Sequence, residues 1–320
     1  MTKENITAIT GGLGNQLFQL ARGIAASDGV PVKIDLNLGA PRLNSDGEPE
    51  LDSYVSNLFI LENSKDNRLI YKRISKNLSQ RIFNFALRYG VASRSSKIKM
   101  KSILMVELFC SFGSLILVGK WRNFTISRGT GFDSRRKSQS SLLVGYFQSY
   151  RWLENQDVFN RMRGLTVRNV GPKLAELQAL APQMKPLVVH CRFGDYKSEP
   201  GFGIPNASYY RNAIELMFAK ENYPEIWVFS DEIDLAHEQI PAEYLNRVRW
   251  IEDVDNSSAA SLEAMRLGSG YVIANSTFSW WAATLTVNAG CSVVAPTKWF
   301  FSGPDPVDLI PNNWIRIDPW

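Results

Sequence analysis

From residue 186 onward, short apolar runs alternate with stretches of helical period, and this alternation constrains the fold more than any other feature of the chain. Runs at 186–189, 225–230, 271–274 and 292–295 read as strands. Helices are expected over 209–221, 259–267 and 278–289, the last stopped by Gly290. Strands separated by helices build a parallel, helix-covered sheet. The chain opens in the same way. Residues 6–10 read as a strand, 17–26 as a helix with Leu17, Leu20, Ala21, Ile24 and Ala25 on one face, and 30–36 as a second strand. Gly11, Gly12 and Gly14 at the first junction let backbone approach a ligand, or let helix and strand pack tightly. A chain of 320 residues suffices for two cores. The expected lobes are 1–150 and 151–320.

Ligands of such sheets bind beyond the carboxyl ends of the strands. The run ending in Val189 carries His190, Arg192 and Asp195 at that position. A planar guanidinium there suits a phosphate or carboxylate, and the bland reading is a surface ion pair. The 271–274 strand leads into Asn275, Ser276 and Thr277 where a helix cap belongs. A helix start favours an anion, and hydroxyls add neutral donors. Asp231 follows a third strand, so the Arg192, Asp231 and Asn275 junctions are expected to share one crevice. Trp280 and Trp281 read as core before they read as a sugar platform.

Composition excludes several classes. Cys110, Cys191 and Cys291 form no close pair, which argues against a disulfide scaffold. No signal peptide is visible at the start, and the most apolar window, 103–118, is interrupted by Glu107, Ser111, Gly113 and Ser114. A cytoplasmic location is expected. The net charge of +5 hides an asymmetry: 65–137 holds 17 Lys/Arg against three Asp/Glu, so the remainder is acidic by nine charges. Within it, 68–89 reads as an amphipathic basic helix, suited to an anionic membrane surface or to a solvated domain face. Nucleic acid is not an expected partner, since no nucleic-acid motif is present.

Two patterns imitate cofactor sites. Gly12-x-Gly14 followed by Asp35 copies a dinucleotide fingerprint, but position 17 is Leu rather than the third glycine. Asp253-Val-Asp255 copies the Asp-x-Asp metal motif of many glycosyltransferases, yet one such triplet is expected by chance. His190 and His237 are the only histidines, so a transition-metal site is not expected.

Taken in order, 11–21 (Gly-Gly-Leu-Gly-Asn-Gln-Leu-Phe-Gln-Leu-Ala), 145–149 (Gly-Tyr-Phe-Gln-Ser), 190–196 (His-Cys-Arg-Phe-Gly-Asp-Tyr), 229–231 (Phe-Ser-Asp) and 274–282 (Ala-Asn-Ser-Thr-Phe-Ser-Trp-Trp-Ala) resemble glycosyltransferase family 11. The closing 295–300 and 308–314 segments are similar to that family's end. The resemblance spans nearly the whole chain and is weakest over 44–141. It implies a GT-B-like α/β architecture, two Rossmann-like lobes facing a cleft, with the donor nucleotide mainly on the second. It further implies an inverting, metal-independent α-1,2-fucosyltransferase that moves fucose from GDP-fucose to O2 of a β-galactoside in a surface glycan. No cofactor is implied. Carried onto matching positions, Arg192 grips the donor pyrophosphate and His190 and Asp231 lie near the guanine-ribose end. Asn275, Ser276, Thr277 and Ser279 belong to the donor turn, and Asn15, with Gly14 behind it, faces the reacting centre. Many members have a second Arg after Arg192; here it is Phe193. Asp195 is the candidate general base, or the residue that orients Arg192.

The expected partners are therefore GDP-fucose, a galactoside-containing acceptor and, through the basic helix, the inner face of the membrane. Three rivals stand beside this reading: another GDP-6-deoxysugar or linkage, a metal-dependent transferase using Asp253 and Asp255, and a non-catalytic carbohydrate-binding protein.

Overall fold

The computed structural model describes residues 5–27, 31–36, 39, 41–55, 57–62, 105, 108, 123–126, 131–132, 141–199, 201–302 and 305–320. The proposed 68–89 helix lies outside them, as do most of the basic 65–137 stretch and of the apolar 103–118 window. The chain forms two compact units: Met1–Thr166 with Pro306–Leu309, and Val167–Asp305 with Ile310–Trp320. The division thus falls after Thr166, not after residue 150. The 306–309 segment returns to the first unit because the Tyr150 N–H donates to the Asp308 carbonyl at 2.7 Å.

In the first unit, β1 (Ile6–Ala8), α1 (Leu13–Ala26) and β2 (Val32–Asp35) make the expected βαβ unit. With β3 (Phe59–Glu62), β4 (Asn123–Ile126) and β5 (Ser141–Val144) they give a parallel sheet in the order β3-β2-β1-β5-β4. Leu17, Leu20, Ala21 and Ile24 are buried as the stripe requires, and Ala25 lies at its edge. The helix starts four residues before the expected Leu17. Its N-cap is Gly12, which has no capping side chain, and the Glu50 carboxylate accepts from the Leu13 N–H at 2.5 Å instead. Fully buried Gln19 accepts from the Thr10 N–H at 2.9 Å and donates to the Gly145 carbonyl at 3.0 Å, tying the ends of β1 and β5. Stranding either buried backbone group would cost about 1–3 kcal/mol.

The missing third glycine of the apparent fingerprint has a substitute. A Cβ on Gly23 would stand 2.5 Å from Val32 Cγ1 and 2.8 Å from Thr7 Oγ1, so Gly23 is what lets α1 sit close on β1 and β2. Gly11 is needed for another reason: its φ is +73°, in the left-handed region.

The second unit contains α3 (Pro172–Met184), β6 (Leu187–Cys191), α4 (Ala207–Lys220), β7 (Ile226–Ser230), α5 (Ile233–His237), β8 (Val248–Ile251), α6 (Ser258–Met265), β9 (Gly270–Val272), α7 (Thr277–Thr284), β10 (Val293–Pro296) and β11 (Ile315–Ile317); α2 (Gln156–Arg163) precedes them in the first unit. The sheet is parallel throughout, in the order β8-β7-β6-β9-β10-β11. This is the doubly-wound order, with the chain reversing direction between β6 and β9. The strands are buried on both faces, which explains their unbroken apolar runs.

α7 ends at Thr284, five residues before the expected Ala289. Past it, side chains compete for the backbone: Arg266 Nε donates to the Leu285 carbonyl at 2.9 Å, and the Thr286 hydroxyl to Arg266 and Gly268 carbonyls at 3.2 Å. Gly290, at φ +79°, turns the chain into β10 rather than stopping the helix. Among the described residues no helix is long and apolar enough to cross a membrane.

The Gly23 packing is directly testable. Gly23→Ala is expected to lower stability by about 1–3 kcal/mol, read as a shift of the urea midpoint at unchanged slope; an unchanged midpoint would show that the helix–sheet approach is not tight.

Candidate active site

The reversal between β6 and β9 opens a crevice at the carboxyl end of the second unit's sheet, where such folds take ligands. Arg192 is the first residue after β6. Its Nη2 lies 2.7 Å from Asp195 Oδ1 and its Nη1 2.8 Å from Asp231 Oδ2. Burial works against the guanidinium charge, but Asp231 and Asp195 outweigh it and hold the group above its ordinary value. Two of its five N–H donors face these carboxylates, leaving others for a ligand. Asp231 is fixed in turn, since its Oδ1 accepts from the Phe193 N–H at 3.0 Å. A Cβ at Gly194 would stand 2.4 Å from Asp231 Oδ2, so this loop needs glycine there. The Phe193 side chain is buried in the core cluster with Val189 and Val228.

Across the reversal, Ser276 is the N-cap of α7 and accepts from the Phe278 N–H at 3.3 Å. Thr277 opens the helix, and fully buried Ser279 donates to the Ser276 carbonyl at 3.2 Å. Tyr196 joins the two sides. Its ring lies 5.9 Å from the Arg192 guanidinium carbon, and its hydroxyl donates to the Asn275 carbonyl at 2.9 Å. Burial raises this phenol well above its ordinary value, so it is a neutral donor.

Asn275 belongs to the scaffold. Its Nδ2 donates to the Phe202, Gly203 and Trp299 carbonyls at 2.9, 3.2 and 3.0 Å, so the amide nitrogen of this donor-turn candidate holds two loops. Consecutive tyrosines brace the strand ends from α4: Tyr209 donates to the Ile273 carbonyl at 2.6 Å and Tyr210 to the His190 carbonyl at 3.2 Å. Neither tyrosine, nor Tyr196, draws a functional reading from spacing alone, because what each contributes is a single hydroxyl to a remote carbonyl.

His190 is the penultimate residue of the buried strand β6, 6% exposed, with Nδ1 lacking a protein partner. Burial first, and the Arg192 charge second, pull it from 6.5 down to about 3. It is a neutral imidazole at working pH and adds no positive charge for a phosphate.

The remaining candidates sit elsewhere. Asn15 and Gly14 lie in the first turn of α1 in the other unit, where Asn15 Oδ1 accepts from Gln148 Nε2 at 2.9 Å. The start of α1 does not read as a phosphate site, because Glu50 already places a carboxylate on it. Asp255 is a helix cap: both its oxygens accept, at 3.0 Å, from the Lys173 and Leu174 N–H groups at the start of α3. That engagement removes the support for a metal-binding Asp253–Asp255 pair. Among the described residues, no group of three His, Cys, Asp or Glu side chains is placed to hold a metal. Trp280 and Trp281 are fully buried, packed edge-to-face at 4.9 Å, so neither offers a sugar platform.

Residues 144–317 match the family described as Glycosyl transferase family 11. The chain belongs to glycosyltransferase family 11. It is 27% identical over 325 residues to an alpha-1,2-colitosyltransferase of Escherichia coli, covering 98% of both chains. It is 32% identical over 137 residues to the O-antigen biosynthesis glycosyltransferase WbnK of Escherichia coli, covering 40% of this chain and 43% of that one. Among solved structures, similarity extends to the Escherichia coli ADP-heptose LPS heptosyltransferase II, with TM-score 0.47, 13% identity and coverage of 98% and 90%. The fucosyltransferase NodZ from Bradyrhizobium gives TM-score 0.46, 12% identity and coverage of 89% and 93%. As a family 11 glycosyltransferase, the chain carries its Arg192, Asp231 and Ser276 cluster inside the matched segment.

The depressed His190 predicts a pH dependence of stability. The unfolded chain protonates this histidine near pH 6.5 while the folded chain leaves it neutral. Below that pH the unfolded state binds more protons, so stability falls as pH falls, by up to about 1.4 kcal/mol per unit. Urea midpoints between about pH 7 and pH 5 should drop more steeply for the wild type than for His190→Gln; equal slopes would contradict the assignment.

Proposed function

We propose that this chain is an inverting glycosyltransferase that moves L-fucose from GDP-fucose to O2 of a β-galactoside in a cell-surface glycan, without a metal ion. The observation that carries it is the placement of Arg192 and the Ser276-capped start of α7 on either side of one sheet reversal. Cleavage of the sugar C1–O bond leaves an electron pair, and added negative charge, on the β-phosphate oxygen. A fixed guanidinium and a helix N-terminus stabilise charge that develops there. The acceptor hydroxyl oxygen forms the new bond to C1 from the opposite face, and its proton passes to solvent water.

Asp195 supports this chemistry by aiming Arg192. Its 2.7 Å contact with Nη2 favours that role over the general base. A largely dissociated transition state needs little help from a base, with Asn15 positioning the acceptor on the first unit. His190, Thr277 and Ser279 line or underlie the donor site in this reading, and the first unit is the acceptor side. The enzyme would work at the cytoplasmic face, where lipid-linked acceptors are assembled.

A second reading concerns the donor sugar alone. The 27% identity along 98% of an alpha-1,2-colitosyltransferase favours GDP-colitose as an alternative to GDP-fucose on the same machinery. A site built to hydrogen-bond a sugar hydroxyl rejects an analogue lacking it by a factor of about 10⁴ or more, whereas an apolar contact discriminates weakly.

Transfer assays with the two donors in turn, in EDTA, decide between them; loss of all transfer in EDTA would overturn metal independence. With the working donor, Arg192→Lys should lower kcat/KM about 100-fold or more, about 2.7 kcal/mol, because an ammonium cannot hold both carboxylates and a phosphate in one plane. A variant that keeps a third of wild-type activity would refute the role of Arg192.

A further inference from the structure

The 145–149 segment (Gly-Tyr-Phe-Gln-Ser) has no part in the donor site, yet it is held in an unusual conformation. Phe147 has φ +54°, a region that bulky side chains rarely enter, and it is completely buried. The turn is fixed from three directions. The Trp152 indole N–H donates to the Phe147 carbonyl at 2.7 Å, and the Arg22 guanidinium carbon lies 5.9 Å from the Phe147 ring and 5.0 Å from the Trp152 ring. Gln19 holds the Gly145 carbonyl at 3.0 Å. A backbone kept in such a state by this many contacts points to a side chain whose position matters.

That side chain is Gln148, nine-tenths buried, whose Nε2 donates to Asn15 Oδ1 at 2.9 Å. The bond ties the Asn15 side chain to this turn. With Oδ1 committed to Gln148, Nδ2 is turned over Gly11, 2.7 Å from where a Cβ would stand, so only glycine leaves room for it. We propose that Gln148 is a positioning residue that holds the Asn15 side chain in place at the sugar acceptor. This rests on the reading above of the chain as a sugar transferase with Asn15 on the acceptor side.

The test uses the full chain with GDP-fucose or GDP-colitose, whichever it transfers, and methyl β-galactoside as acceptor probe. Gln148→Ala, Asn15→Ala and the double variant form a cycle. Each single variant should lose about tenfold or more in kcat/KM for the acceptor, with the donor KM unchanged, and the double variant should lose no more than Asn15→Ala alone. Gln148→Glu, close in shape but without the donating N–H, should behave like Gln148→Ala, which guards against a packing effect. Losses that multiply in the double variant, a Gln148→Glu enzyme of wild-type activity, or a change confined to the donor KM would each overturn the proposal. A wild-type chain that transfers from neither donor would overturn the underlying reading instead, and the Gln148 role with it.

Discussion

A guanidinium three-quarters removed from water has to stay charged and stay aimed, and the second unit is arranged around that requirement. Arg192 leaves β6 where the chain reverses across the sheet, and two carboxylates from different segments hold it. Each is itself constrained, Asp231 by the Phe193 N–H and by the absent Cβ of Gly194, Asp195 by the short helical turn Gly194–Lys197 in which it lies. The pair with the half-exposed Asp195 contributes little to stability. Its value is orientation: an anion arriving at the crevice meets a cation already in place, with little reorganisation left to do.

The starts of α1 and α7, one in each unit, are treated in opposite ways. At α1 the chain's own Glu50 occupies the amino end, and Gln16 closes the same turn by donating to the Gly11 and Arg42 carbonyls at 2.9 and 3.0 Å. At α7 the cap is a neutral hydroxyl, with Arg192 linked to it through Tyr196 and the Asn275 carbonyl. A helix that already carries a carboxylate has little attraction left for a diphosphate; one capped by serine beside a guanidinium has much. On the proposed function, this difference in charge favours the second unit for the anionic donor.

Much of this was legible in the residues. The alternation of apolar runs and helical stretches gives the parallel sheets because periodicity is a local property, and the strand-end positions of Arg192, Asp231 and Ser276 follow from it. What stayed hidden are side chains that bond to distant backbone. Asp255 reads as half of a metal motif, yet it caps a helix more than eighty residues earlier in the chain. Glu50 fills a helix start 37 residues away. Gly23 performs the packing that the fingerprint assigns to another position. At the early end of α7 the Leu285 carbonyl is taken by Arg266, and Thr286 and Asn288 bond to the Gly268 carbonyl. None of these leaves a periodic trace, so only the folded geometry distinguishes them.

The central claim is that Arg192 and the start of α7 together receive a nucleoside diphosphate. Diffraction from crystals of the full chain soaked with GDP tests it most directly. Phosphate oxygens within hydrogen-bonding reach of both the Arg192 guanidinium and the Ser276–Thr277 turn are the predicted result. Phosphates seated away from both, on the Gly11–Gly14 turn for instance, would contradict it.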